Sequence, residues 1–151
     1  MTYELRRVAT AEDWSSLHVI RRATLFTVGR HGDAVRYDEN HPDDRQPDNQ
    51  PLLLVLAGEA IGVVRLDRRG ADGGVVRLVG IVPEKQRQGH GRMLQQLVET
   101  TARARGMRRL AVNAHPSAVG FYEKTGWLKE AWDASELTGI ATDCVQMTKR
   151  I

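Results

Sequence analysis

Residues 75–98 read VVRLVGIVPEKQRQGHGRMLQQLV. An apolar run with β-branched residues breaks at Pro83, crosses a polar loop holding Gly89 and Gly91, and resumes with helical spacing at Met93, Leu94, Leu97 and Val98. The pattern predicts strand, loop, helix. Both glycines fall where the helix must start, so several backbone N–H groups there have neither an intrahelical partner nor a side chain shielding them. Such a helix start is a site for a phosphate. A glycine pair alone is as readily ordinary turn punctuation; what favours the phosphate site is the full spacing, Gln86-Arg87-Gln88-Gly89-His90-Gly91-Arg92, placed between a strand and an amphipathic helix. Two other phosphate loops fit less well: no Gly-Lys-Ser/Thr follows, and no third glycine stands at the dinucleotide-binding spacing.

Outside this stretch the chain reads as one domain over residues 1–151, long enough to bury a core without disulfides or metal. Hydrophobic residues at 41 % and charged residues at 27 % place it with globular proteins. No apolar run approaches the ~20 residues of a membrane span. The N-terminus MTYELRRVAT lacks the apolar stretch of a signal peptide, so the cytoplasm is the expected location. Cys144 is the sole cysteine and is expected to be a core or half-buried strand thiol. A net charge of +3 suits a polyanionic small molecule and weak nucleic-acid affinity equally. Arg103, Arg105, Arg108 and Arg109 gather at the end of the predicted helix, where cations oppose the macrodipole, and no aromatics are interleaved with them as a nucleic-acid surface would have.

In chain order, Tyr3–Val8 predicts a strand and Thr10 caps a helix with acidic residues in its first turn, running to about Thr27 and closed near Gly29. Residues 30–51 are polar, with three prolines and five acidic residues after Asp33, and hold at most a short helix around Asp33–Asn40. Leu52–Leu56 and Ile61–Asp67 predict a hairpin, and a second glycine-rich turn leads into Val75–Val82. A helix ending at Gly106 then crosses to a strand at Arg109–Asn113, which makes the two strands parallel neighbours. Ser117 is the expected cap of a short helix, Ala118–Thr125, closed by Gly126; Trp127–Trp132 and Thr142–Lys149 complete the sheet as an antiparallel pair.

The phosphate loop resembles the Gln/Arg-x-x-Gly-x-Gly/Ala signature of the GCN5-related N-acetyltransferase (GNAT) superfamily. A second segment, NAHPSAVGFYEKTGW at Asn113–Trp127, resembles that family's Asn-x-x-x-x-Ala-x-x-Phe-Tyr-x-x-x-Gly-Phe motif, with Trp127 in place of the usual Phe. The motif-bearing resemblance covers Val75–Trp127. It implies an α/β (α+β) fold: a mixed, mostly antiparallel sheet of six to seven strands, helices on both faces and a central parallel strand pair. It further implies acetyl-coenzyme A as co-substrate, bound by Val79, Ile81, Gln86, Arg87, Gln88, Gly89, His90, Gly91, Arg92, Asn113 and Tyr122. Lys85 flanks the loop and adds charge.

The roles implied have a physical basis. A splayed strand edge at Val79 and Ile81 can pair with an extended amide-bearing chain. The Ile81 N–H would stabilise the oxyanion that forms under attack. Tyr122 would be the general acid for the departing thiolate, while Phe121 reads as a buried core aromatic. No carboxylate stands at Val75-Val76-Arg77, where some family members carry a base, so the base stays unassigned between Asp67, His115 and the acidic loop residues. Tyr37, Asp38, Glu39, His41, Asp43 and Asp44 can attract a cationic amine or simply face water. No metal is implied, since the histidines show no ligand spacing. The leading reading is acetyl transfer to a primary amine, on a small molecule or a peptide, by direct attack in a ternary complex. The competing reading is a non-catalytic coenzyme A-binding or protein-interaction module of the same fold. No membrane or nucleic acid is expected as a partner, and a homodimer stays open.

Overall fold

The computed structural model describes residues 2–26 and 37–151. Seven strands form one sheet: β1 (Tyr3–Arg7), β2 (Asn49–Leu56), β3 (Glu59–Arg69), β4 (Gly73–Ile81), β5 (Arg109–Ala114), β6 (Leu128–Lys129) and β7 (Val145–Arg150). Their spatial order is β1-β2-β3-β4-β5-β7-β6, antiparallel except for the β4–β5 pair. The helices are α1 (Ala11–Thr24), α2 (His90–Ala104) and α3 (Val119–Lys124). None of these is long and apolar enough to cross a membrane.

Strand alternation sends side chains to two faces, and each face finds a different helix. Leu54, Val64, Leu66 and Val76 pack with Leu94, Val98 and Ala102 of α2 and with Tyr122 of α3. On the other face Leu53, Val55 and Val63 meet Leu17 and Ile20 of α1. This second cluster is small, and beyond it the α1 face turns polar with Arg65, Asp67 and Arg77.

β2 turns into β3 through Ala57-Gly58, whose φ angles of 51° and 84° suit the twist of a two-residue hairpin. The β4–β5 crossover carries α2, as its length requires. β4 pairs with β5 only at Gly73–Val76. Beyond Val76 a bulge against β3 puts Leu78 at φ 54°, a conformation that side chains with a β-carbon seldom adopt, and the two strands part.

Several expected boundaries move. α1 ends at Thr24 rather than near Thr27, because Leu25 and Phe26 N–H both turn back to the Arg21 carbonyl and the Thr24 hydroxyl donates to the Ile20 carbonyl. The closing turn at Gly29, His31 and the first half of the short helix expected around Asp33–Asn40 lie outside the described residues, and its second half, residues 37–40, is coil and turn rather than helix. After them a 3₁₀ turn forms at Pro42–Arg45. The cap expected at Ser117 is instead His115, whose Nδ1 accepts from the Ser117 N–H at 3.2 Å and opens a 3₁₀ turn ahead of α3.

β6 shrinks to Leu128–Lys129 because the Gln146 side chain takes the N–H groups of Trp132 and Asp133 that a longer ladder would use. Residues 142–144 belong to a turn rather than to β7. Cys144 is half-buried there, with its N–H on the Ala141 carbonyl.

Candidate active site

The parting of β4 and β5 opens a cavity of about 570 Å³. Val79 lines it from β4, Asn113 from β5, Phe121 and Tyr122 from α3, Glu136 from the segment after β6, and Tyr37 from the segment after α1. Just past β4 the Val82 N–H donates to the Ile61 carbonyl at 2.9 Å, so alternation turns the amides of Gly80 and Val82 toward β3 and those of Val79 and Ile81 away from it. The Ile81 carbonyl accepts from Gln86 Nε2 at 2.9 Å, which ties the end of the strand to the following loop. Gly80 lets the end of α1 come close. A β-carbon there would sit 2.5 Å from Thr24 Oγ1.

The loop enters α2 through Arg87 at φ 62° and Gly89 at φ 85°. Gly89 is the cap position and supplies no side-chain acceptor, and the first turn holds no acid. The first ladder bond runs from the Met93 N–H to the Gly89 carbonyl at 3.3 Å, so the amides of His90, Gly91 and Arg92 precede the ladder. A β-carbon on Gly89 would meet no protein atom within 4 Å. Arg87 and Arg92 are exposed and ion-paired to no described residue. His90 turns inward: its Nδ1 is 2.7 Å from the Tyr3 hydroxyl, so it has only its backbone to offer. The Gln88 amide donates to the Glu84 carbonyl at 3.1 Å, bracing the loop from within.

Tyr122 is buried between the rings of Phe121 and Trp127, at centroid distances of 5.5 and 5.2 Å. Burial, helped by the neighbouring Cys144 thiol, pushes its phenol up to about 12. Phe121 departs from its expected place in the core. It is 37 % exposed at the cavity wall, with its ring 3.9 Å from where a β-carbon of Gly91 would stand. Consecutive residues of a helix point about 100° apart, and on α3 it is Tyr122 that takes the inward place.

The two candidate bases fare differently. Asp67 spends both oxygens on arginines, at 2.8 and 3.0 Å to Arg65 and 2.9 Å to Arg77, and does not line the cavity. His115 does line it, with Nδ1 turned to Ser117. Among the acidic loop residues, Asp44 is buried and already neutralised. It grips Arg21 through two bonds of 2.7 and 3.0 Å and Arg65 at 3.1 Å. Arg77 continues the chain to Glu136 at 2.7 and 3.0 Å, and Asn113 donates to Glu136 at 3.4 Å.

This alternating row of three arginines and three carboxylates, all but Asp67 lining the cavity, forms its α1 side. Burial pushes the Asp44 carboxyl up, but hydrogen bonds and charge from Arg21 and Arg65 more than offset it and hold it below the ordinary range. Glu136 is likewise low, chiefly through its hydrogen bond from Arg77. Glu136 carried no signal in the sequence: it lies in an irregular segment and meets Arg77 only across 59 positions.

The structure resembles several acetyltransferases. Ribosomal-protein-S18-alanine N-acetyltransferase from Escherichia coli superposes with a TM-score of 0.73 at 16 % identity, over 99 % of this chain and 94 % of that one. The PaiA N-acetyltransferase from Thermoplasma acidophilum, solved in complex with coenzyme A, gives 0.73 at 18 % identity over the full length of both. Tetrahymena GCN5 gives 0.74 at 13 %, over 98 % of this chain and 96 % of that one. At these identities the likeness speaks for the fold. No protein of curated function matches the sequence. The acetyltransferase (GNAT) domain family, however, matches residues 32–150, most of the chain, with the loop before α2 and the Asn113–Trp127 segment inside the match. With the seven-stranded sheet and its parting β4–β5 pair, that match makes the chain a member of the GNAT acetyltransferase family.

Proposed function

We propose that this protein transfers the acetyl group of acetyl-coenzyme A to a primary amine by direct attack in a ternary complex. The observation that carries the reading is the uncapped start of α2 beside the opened edge of β4: free backbone donors for a pyrophosphate lie next to free strand amides for a pantetheine arm. In this reading the amides of His90, Gly91 and Arg92 hold the phosphates, with Arg87, Arg92 and Lys85 adding charge. The coenzyme supplies an activated thioester. Val79 and Ile81 orient it by strand pairing, and the Ile81 N–H aims a dipole at the carbonyl oxygen where charge develops.

Tyr122 holds its proton throughout the working range, because its phenol is pushed up to about 12. It therefore donates a hydrogen bond to sulfur as charge builds there. Full transfer to a thiolate of pKa ~8.5 is uphill, so its contribution belongs at the lower end of general-acid effects. Asn113, which accepts from Gln146 Nε2 at 3.0 Å, keeps the β5 side of the cleft in shape.

The test is thiol release from acetyl-coenzyme A across polyamines, aminoglycosides and peptides with free N-termini, paired with calorimetry of coenzyme A binding. Turnover with at least one amine is the expected result. Tight binding with no turnover on any of them would leave the coenzyme A-binding module instead, and no binding would overturn both.

A further inference from the structure

We infer that Tyr37 and His18 form the proton relay that serves as base for the attacking amine, in a reaction that rests on the acetyl-transfer reading above. Tyr37 lines the cavity, and its hydroxyl is hydrogen-bonded to His18 Nδ1, a buried side chain on α1. The ring is held from several sides. Phe26 lies 4.9 Å away between centroids, the Arg22 guanidinium sits 5.1 Å over its face, and Arg21 Nη1 donates to its oxygen at 3.3 Å. Arg21 can only donate, so it occupies a lone pair of the Tyr37 oxygen and leaves the phenolic proton to point at His18. His18 in turn stacks on Trp14, at 5.8 Å between centroids.

The relay lies toward the right end of the cavity. Leu25 and Phe26, which line it together with Tyr37, follow directly on Thr24, the residue packed on Gly80 between the two β4 residues that would hold the thioester. Of the other acids lining the cavity, Asp44 is spent on Arg21 and Arg65 and Glu136 on Arg77, while Asp38 and Asp43 are exposed to water. Among the described residues His18 has no ion-pair partner.

The groups facing His18 are Tyr37, Glu39 and Asp44 from the segment after α1 and Arg21 and Arg22 from α1 itself. Burial, the largest influence, lowers its pKa below the ordinary ~6.5 and keeps it a neutral acceptor near pH 7. The proton balance closes. The ammonium proton passes to the Tyr37 oxygen as the Tyr37 proton passes to His18 Nδ1, and the freed amine nitrogen then bonds to the acetyl carbon as the carbon–sulfur bond breaks. The sulfur leaves as a thiolate hydrogen-bonded by Tyr122 and takes up, through water, the second proton that nitrogen loses on becoming an amide, while His18 returns its proton to solvent. Tyr37 is the catalytic residue of the pair because it touches the amine. His18 acts through it.

Two measurements test the relay. Without any coenzyme, nitrogen NMR of the imidazole should show His18 as the Nε2–H tautomer titrating below ~6.5, and Tyr37→Phe should shift that titration. An Nδ1–H tautomer, or a titration unchanged by Tyr37→Phe, would overturn the assignment.

In turnover, the probe pair is hydroxylamine, already neutral at pH 7, against the fastest ammonium-type amine of the panel. Tyr37→Phe and His18→Asn should each lower kcat for the ammonium-type amine by about 10²-fold and abolish its acid limb. The loss with hydroxylamine should be smaller, and coenzyme A affinity by calorimetry should stay unchanged. Equal losses on both nucleophiles would make the pair scaffold. If His18→Asn fails to fold, Tyr37→Phe alone decides. A parent that neither binds coenzyme A nor releases thiol would sink the acetyl-transfer reading. An active parent with equally active variants would sink only the relay.

Discussion

Helix α1 starts on Thr10, whose hydroxyl accepts from the Asp13 N–H at 3.0 Å while the Asp13 carboxylate accepts from the Thr10 N–H at 3.2 Å. Helix α2 starts on Gly89, which has no side chain to offer, and no acid follows in its first turn. Both helices face the same need, since the first amides of any helix lack partners. Where the helix is scaffold, local side chains meet the need. Where the helix faces the cleft, the amides stay available to an anion from outside.

The same division runs through the whole cavity wall. The α1 side is built from side chains locked in ion pairs, while the α2 side offers backbone. Substitutions in that ion-paired row should therefore cost stability, and changes at the α2 start should cost binding.

The largest effect is expected at Asp44. Asp44→Ala leaves Arg21 and Arg65 buried without their shared carboxylate, a change that costs about 3–5 kcal/mol in unfolding free energy. Urea denaturation reads it directly. A cost below ~1 kcal/mol would mean that this wall behaves as ordinary surface charge. The sign of the pH effect follows from the depressed pKa values of Asp44 and Glu136. Their contribution is present at neutral pH and is lost as pH falls through ~4, the unfolded carboxylate value, and below. The urea midpoint should fall over that range, and Asp44→Asn should flatten the fall.

Next in size is Gly89→Val. A β-branched residue at φ 85° is strained and shifts the amides that precede the ladder. Loss of two charge-assisted hydrogen bonds of about 1.5–3 kcal/mol each would weaken coenzyme A binding by about 10²–10⁴-fold in calorimetry. Affinity equal to the parent would remove the α2 start from the binding site and with it the contrast between the helices.

Tyr122→Phe lies where the two sides meet. It should lower kcat by about 10²-fold with cofactor affinity unchanged. With the phenol at about 12, the parent should show no alkaline loss of kcat through the usual tyrosine range near ~10 that this variant lacks.

Thr10→Ala is the smallest. It removes one cap acceptor and should cost about 1 kcal/mol of stability while leaving coenzyme A binding untouched. A binding defect there would show that the two helix starts are coupled.

Much of this was legible along the chain. Strand alternation, the glycine spacing before α2, the Thr10 cap and the parallel β4–β5 pair are local patterns, because backbone hydrogen bonding and side-chain period repeat over a few residues. The Phe121–Tyr122 pair shows the limit. Both are aromatic and adjacent, and only the packing of α3 against Trp127 decides that Tyr122 goes inward and Phe121 stays at the cavity wall.

The bulge at Leu78 is a further case, since no glycine or proline marks the position where β4 turns away from β5. The acidic residues after α1 read as a field for a cation, yet Asp44 is consumed by Arg21 and Arg65, 23 and 21 positions distant. Ion pairs of that kind have no sequence period. What the sequence by itself determined was the order of elements and the Gln86–Arg92 and Tyr122 motifs, through interactions between near neighbours. Which charges are neutralised, and that His18 meets Tyr37 at the cavity wall, was decided only when the fold brought distant residues into a buried space where unpaired charge is too costly to keep.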